Sequence, residues 1–352
     1  MNKSLSLYLD VWRFSAAMIV FLSHVASQKI SGGLFWQTKA YDQTAVMIFF
    51  VMSGFVIAFV TEKKEKNLFS FSIARISRLY SVLIPALVVT IIFDYIGFKI
   101  NPEFYLGGPW PFDTENLFTN YFLSFFMIQN VWNLGFNPGI NQPFWSLSFE
   151  WLYYIIFACA FFLKSKWKYL LLTIFAIIAG PTILALLPIW IAGFVLYKAM
   201  QKSTSSEYSF TRAVISLLAL ILLVFFGPEI RSIDFNSTFI QRKEIFGDYF
   251  DALMFCIHIY FSPALLKSFS AVLERFESYI RWVASLTFAL YLFHRPIIQT
   301  VAAINPYDNS HWLYLLALFF IPFTIVVTIG RWAEKQKYTI KNLLASKFQS
   351  KY

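Results

Sequence analysis

The chain has 352 residues, of which 58% are hydrophobic, 20% aromatic and 14% charged, and its formal net charge is +10. Soluble domains are nearer half apolar and a quarter charged, so one soluble core cannot hide this surplus and a soluble globular fold is excluded. The positive charge alone would fit a nucleic-acid binder, but the placement of the basic residues argues against one.

Apolar runs of about 20 residues, the length that crosses a bilayer, recur along the chain. We read ten: 8–28, 42–61, 79–98, 143–163, 168–181, 183–199, 212–228, 249–266, 282–302 and 311–330. No Ala-x-Ala-like cleavage site follows the first, so it reads as a span and not as a secretory signal. Pro181 and Pro188 interrupt the fifth and sixth. The run Leu117–Ile128 is too short to span and reads as an interfacial or re-entrant piece of a long extracytoplasmic loop, about 99–142. The stretches GGPWPFD and GFNPGINQP in that loop suit an ordered cover over a site. A second long outer segment covers about 229–248. The tail, about 331–352, is basic and amphipathic and is expected at the cytoplasmic interface.

With the N-terminus inside and the spans alternating, 21 lysines and arginines fall on the inner side and six on the outer. That is a strong positive-inside bias, and it accounts for the net charge by topology. The expected fold is all-α: a polytopic membrane helical bundle of about ten transmembrane helices with both termini cytoplasmic. Residues 1–352 read as a single integral membrane domain in a lipid bilayer, with no nucleic-acid partner. Cys159 and Cys256 both sit in apolar runs and read as small buried or lipid-facing residues. They offer neither a disulfide scaffold nor a CxxC metal site.

Ionisable side chains inside spans are costly and mark function by default. In LDVWRFSAAMIVFLSH, ten residues separate Arg13 from His24. Eleven helical steps make three turns plus about 20°, so both side chains share one face, about 16 Å apart along the axis. A pantetheine arm is of similar length: the cation could hold a phosphorylated carrier while the imidazole works at the other end. Asp10 can pair with Arg13 at i,i+3. His24 reads as a general base for a hydroxyl proton, against the plainer reading of a histidine packed in the bundle.

Glu150 lies in PFWSLSFEWLYY with Ser146 and Tyr154 one turn to either side, a polar stripe on an apolar helix. It reads as the carboxylate that orients and charges an imidazole, the third member of a triad, or as an interhelical hydrogen-bond clasp. Arg75 and Arg78 read as a fork for the phosphates of a cytosolic cofactor, or as an anchor for lipid headgroups. Tyr291, His294 and Arg295 lie in SLTFALYLFHRP, either functional or part of a packed helix broken at Pro296. His258 and His311 read as core or interface residues. The chain has no Walker-type loop, GxGxxG, HExxH or GxSxG, and no metal site is expected.

In this order, these clusters resemble acyltransferase family 3, the integral membrane O-acyltransferases. The resemblance runs from about Leu9 to Pro296 and rests on five segments. They are LDVWRFSAAMIVFLSH, FFVMSGF (Phe49–Phe55), RISRLY (Arg75–Tyr80), FWSLSFEWLYY (Phe144–Tyr154) and LYLFHRP (Leu290–Pro296). Ala45 and Ser81 stand where relatives commonly carry Gly and Pro, departures that touch packing more than chemistry.

The resemblance implies an acyl donor, usually acetyl-CoA, as co-substrate with no permanently bound cofactor. The implied acceptor is a hydroxyl of a carbohydrate or lipid-linked glycan, such as O-antigen, exopolysaccharide or peptidoglycan, which makes the reaction O-acetylation in polysaccharide modification of the cell envelope. The implied location is a bacterial inner (cytoplasmic) membrane. Carried over, His24 matches the essential histidine with Arg13 its partner, Arg75 and Arg78 the cofactor-side arginines and Glu150 the acidic residue of the WSLSxE motif. His24 and Glu150 are expected to be catalytic, and Arg13, Arg75 and Arg78 to bind the cofactor. Trp145, Ser146, Ser148, Tyr154, Tyr291 and His294 are expected at the substrate, with Trp145, Ser146, Ser148 and Tyr291 as candidate oxyanion donors. A secondary transporter or flippase of a glycan or acyl intermediate also fits ten spans with midplane charges, although no two matching halves are visible. A structural subunit anchoring a glycan-assembly complex is a further alternative.

Overall fold

The structure, a computed structural model, describes residues 2–109, 112–202 and 209–349. In chain order its helices are α1 Lys3–Val25, α2 Gln28–Ser31, α3 Asp42–Lys63, α4 Leu68–Ile100, α5 Pro102–Gly107, α6 Leu117–Phe125, α7 Trp145–Phe162, α8 Trp167–Ala179, α9 Pro181–Lys202, α10 Phe210–Arg231, α11 Ile245–Arg275, α12 Glu277–Ser285, α13 Thr287–Ala303, α14 Trp312–Ile325 and α15 Arg331–Gln349. No strand occurs among the described residues. A bilayer admits this solution because each helix satisfies its own backbone hydrogen bonds.

Among the described residues, eight helical segments are long and apolar enough to cross a membrane. Two expected spans fall outside that set. The fifth is α8, only 13 residues long. The ninth is two helices that meet at Leu286, α12 and α13. The first of these carries Glu277 and Arg281, which pair with Lys3 at 2.7 Å and with Asp10 at 2.6 Å, and so tie it to the start of α1. Every residue of α13 except Phe288 is buried. A helix buried on all sides lies in the middle of a bundle, and its 17 residues can be fewer than a lipid-facing span needs.

Close helix approach supplies much of the packing. Gly54 of α3 sits against the Trp190 carbonyl of α9, and Gly193 of α9 against the Val51 carbonyl of α3. A Cβ at either glycine would strike backbone. Small residues that let backbones touch are the usual device where lipid offers no hydrophobic drive between helices. At the end of the bundle opposite the N-terminus, α10 and α11 are cross-linked through charge. Arg231 holds Asp248 at 2.7 Å and also pairs with Asp251, while Arg242 reaches Asp248 at 2.6 Å.

The segment between α4 and α7 is built into the core. Asn141 is buried and donates to Thr90 Oγ1 at 2.9 Å and to the Leu292 carbonyl at 2.8 Å. The Ile140 N–H donates to Asp94 at 3.1 Å, and Gly139 turns the chain at φ 53°. The run expected as an interfacial piece, 117–128, is the nine-residue helix α6 followed by a turn at Met127. The tail does not stand apart from the bundle. A wide π turn, Val326–Gly330, joins α14 to α15, and α15 packs along α4.

Candidate active site

Two chambers meet in the middle of the bundle. The first is narrow, about 80 Å³, and basic: Arg13 of α1 and both Arg75 and Arg78 of α4 line it. Glu150 and Tyr154 of α7 line the same chamber, with Ser53 of α3. The second is roomier, about 470 Å³, and is lined by His24, Arg295, Asp42, Gln43, Gln142 and Trp145. Val46 and Tyr291 line both and form a shared wall. Ser146, on the basic side, bonds Tyr291 hydroxyl to hydroxyl at 2.9 Å.

Local sequence explains the placement. Because α1 is unbroken from Lys3 to Val25, Arg13 and His24 stay on one face and reach separate chambers. The approach of Gly54 to α9 brings the neighbouring Ser53 under Trp190, whose indole donates to Ser53 Oγ at 3.1 Å. Ser53 in turn donates to Glu150 Oε1 at 3.2 Å and lies 3.2 Å from the Tyr154 hydroxyl, which also donates to Glu150. The polar stripe read from Glu150 and Tyr154 is thus closed by a serine from another helix.

The cations differ in their surroundings. Arg13 pairs with Asp10 at 3.4 Å. Arg75 is buried, donates to Glu65 at 2.6 Å, and lies over the rings of Phe71 and Tyr154 at 5.5 and 5.7 Å. Among the described residues, Arg78 has no carboxylate within salt-bridge distance. It interacts at longer range with Glu150 and with Glu334 of α15, which acts on Arg13 as well. A guanidinium held near acids without a direct pair is open to an anionic guest.

His24 and Glu150 do not meet. The Glu150 carboxylate belongs to the basic chamber, and the ring that faces His24 is His294, with Nδ1 of His24 2.8 Å from Nε2 of His294. This corrects the expected triad, in which Glu150 charges the imidazole: the shared wall stands between the two groups. His294, expected at the substrate, is fully buried behind His24 and lines neither chamber. Ser148 lines neither chamber, which places it away from the expected oxyanion position; its hydroxyl accepts from the Asn130 N–H at 3.1 Å. Trp145 lines the histidine chamber, with the Arg242 guanidinium 5.5 Å from its ring centroid. Ser146, Tyr154 and Tyr291 line the basic chamber. His258 is clasped in the core between the hydroxyls of Tyr8 at 2.7 Å and Ser216 at 2.9 Å.

Sequence reasoning gave no role to Ser53, Asp42, Gln43 or Gln142. Ser53 had a signal, as the polar neighbour of a glycine in an apolar helix. Asp42 and Gln43 sit at the start of α3, where polar residues pass for an ordinary helix end.

Fold and site together define a helical membrane protein with a two-chambered polar centre. The chain belongs to acyltransferase family 3: the family model, described as an acyltransferase domain, matches residues 6–331. It is a membrane acyltransferase. No curated protein and no solved structure matches the chain.

Proposed function

We propose that this protein moves an acetyl group from cytoplasmic acetyl-CoA to a hydroxyl of a carbohydrate on the far side of a bacterial cytoplasmic membrane. The observation that carries this reading is the shared wall: a cationic chamber and a histidine chamber back onto Tyr291 and Val46. The donor's phosphates would bind at the basic mouth, with Arg78 the most available guanidinium. Its pantetheine would extend past Arg13, over the roughly 16 Å that eleven helical residues provide, and bring the thioester to the wall. A narrow chamber suits an extended arm and a short acyl group. The roomier chamber, with Trp145 and the amides of Gln43 and Gln142, suits a sugar, which stacks on aromatic rings and hydrogen-bonds to amides.

The chemistry follows from these positions. His24 takes the proton of the acceptor hydroxyl as its oxygen attacks the thioester carbonyl. The tetrahedral oxyanion forms beside the Tyr291 hydroxyl, which can donate to it while accepting from Ser146. Collapse breaks the carbon–sulfur bond, and the departing CoA thiolate takes the proton from the imidazolium. A positioned base contributes about 10²–10⁴-fold, and alignment in a closed site contributes more.

The test uses purified protein in lipid nanodiscs with acetyl-labelled acetyl-CoA and lipid-linked glycans extracted from bacterial membranes. Label should enter the glycan with release of free CoA, and His24→Ala should abolish both. A well-folded wild type that moves glycan across the bilayer but consumes no acetyl-CoA would replace this reading with transport.

A further inference from the structure

His24 and His294 form a hydrogen-bonded pair of imidazoles, and the pair has a direction. Nδ1 of His294 lies 2.8 Å from the Leu290 carbonyl, one turn back on α13. A carbonyl oxygen can only accept, so Nδ1 of His294 carries the proton and donates. In a neutral ring the other nitrogen is then an acceptor. That nitrogen, Nε2 of His294, is the one that faces Nδ1 of His24 at 2.8 Å. The short contact is satisfied when His24 donates from Nδ1, which leaves the lone pair of His24 on Nε2.

We propose that His294 is a positioning residue that fixes His24 as its Nδ1–H tautomer, making Nε2 the basic atom of the histidine chamber. The backbone of α13 supplies the reference: Leu290 sets the proton on His294, and His294 sets it on His24. His294 itself lines neither of the two chambers, and full burial locks its ring. The arrangement also accommodates the reaction. When Nε2 takes a hydroxyl proton, the charge falls on a ring whose Nδ1–H already donates to a neutral imidazole. That bond becomes charge-assisted and strengthens. The orienting work expected of a carboxylate falls here to a second histidine.

Only the kinetic arm of the test rests on the acyl-transfer reading. The chain has four histidines, so the full-length protein labelled with ¹⁵N at histidine gives a simple imidazole spectrum, and His24→Asn identifies the signals of His24. In wild type, neutral His24 should show a protonated Nδ1 and an unprotonated Nε2. In His294→Ala it should move to the Nε2–H form or to a mixture. The Val20 carbonyl also interacts with the His24 ring. If it alone holds the tautomer, the variant keeps the wild-type signature and the proposal is overturned. It is equally overturned by an Nε2–H tautomer in wild type, a result that needs no variant to fold.

In the kinetic arm, His294→Ala should lose at least tenfold in kcat, since a wrong tautomer can cost up to about 10⁴ in hydrolases that use a triad. The KM for acetyl-CoA should stay near wild type. An unchanged kcat beside a changed tautomer would remove the positioning role. A wild type that transfers no acetyl group would defeat the transfer reading and leave the tautomer result standing on its own.

Discussion

Ser146 and Tyr291 meet hydroxyl to hydroxyl at 2.9 Å on the wall between the basic chamber and the histidine chamber. Ser146 also has the Pro143 carbonyl as an acceptor at 3.2 Å. When it donates instead to Tyr291, the Tyr291 hydroxyl can donate onward to a third oxygen placed at that wall, where the thioester carbonyl would arrive. Removing one preorganised oxyanion donor costs about 10²–10³ in kcat. Tyr291→Phe should therefore lower kcat by about that factor with little change in KM for the donor. Steady-state kinetics on the purified variant decides it: a wild-type kcat would reduce Tyr291 to a wall residue.

Arg75 and Arg78 are one turn apart on α4, yet they should fail differently. Arg75→Ala leaves Glu65, 13% exposed at its side chain, without its partner, and breaking a largely buried pair costs up to about 3–5 kcal/mol. The expected result is a large drop in melting temperature. Arg78 gives up no direct pair among the described residues, so Arg78→Ala should melt near wild type. It should bind CoA more weakly by about 10- to 100-fold, the loss of a charge-assisted contact worth about 1.5–3 kcal/mol. Calorimetric titration with CoA alongside a thermal melt separates the two. Equal behaviour of both variants would refute the distinction.

The charge cluster of α10 and α11 is structural. Arg231 is 9% exposed at its side chain while Asp248 and Asp251 are at 0%, and Asp251 also accepts from Thr44 of α3 at 2.6 Å. Asp251→Ala should destabilise by about 3–5 kcal/mol, because it strands part of a buried guanidinium. Replacing Arg231 and Asp251 together with apolar residues of similar volume should cost far less. Thermal unfolding of single and double variants checks this. A double variant as unstable as the single would contradict it.

Gly54→Ala should cost about 1–3 kcal/mol, the usual penalty of overpacking, since the new methyl meets the rigid Trp190 carbonyl. It should also lower activity, because a parting of α3 from α9 withdraws Ser53 from Glu150. A variant with lowered stability but wild-type turnover would uncouple the helix contact from the chamber.

The features legible in the sequence were those carried by local periodicity. Apolar runs located the helices, and the eleven-residue interval put Arg13 and His24 on one face of an unbroken helix. The polar interval around Glu150 found a stripe that does line a chamber. What escaped was set by long-range packing. Nothing local distinguishes Ser146, which faces the wall, from Ser148, two residues on and turned toward Asn130. The partner of His24 lies 270 positions away, and a glutamate in a motif made the more obvious candidate. Likewise, α12 and α13 split the expected span 282–302 at Leu286, and the ion pairs that tie α12 to α1 are contacts that hydropathy does not register.

The π turn at Val326–Gly330 bears on more than the path of the chain. One extra residue in a helix advances everything after it by about 100° around the axis. That phase decides which side of α15 lies against α4, and so whether Glu334 looks toward Arg13 and Arg78 or away from them. Deleting a single residue there would leave both helices intact while rotating the tail like a dial, and the electrostatic setting of the basic chamber would turn with it.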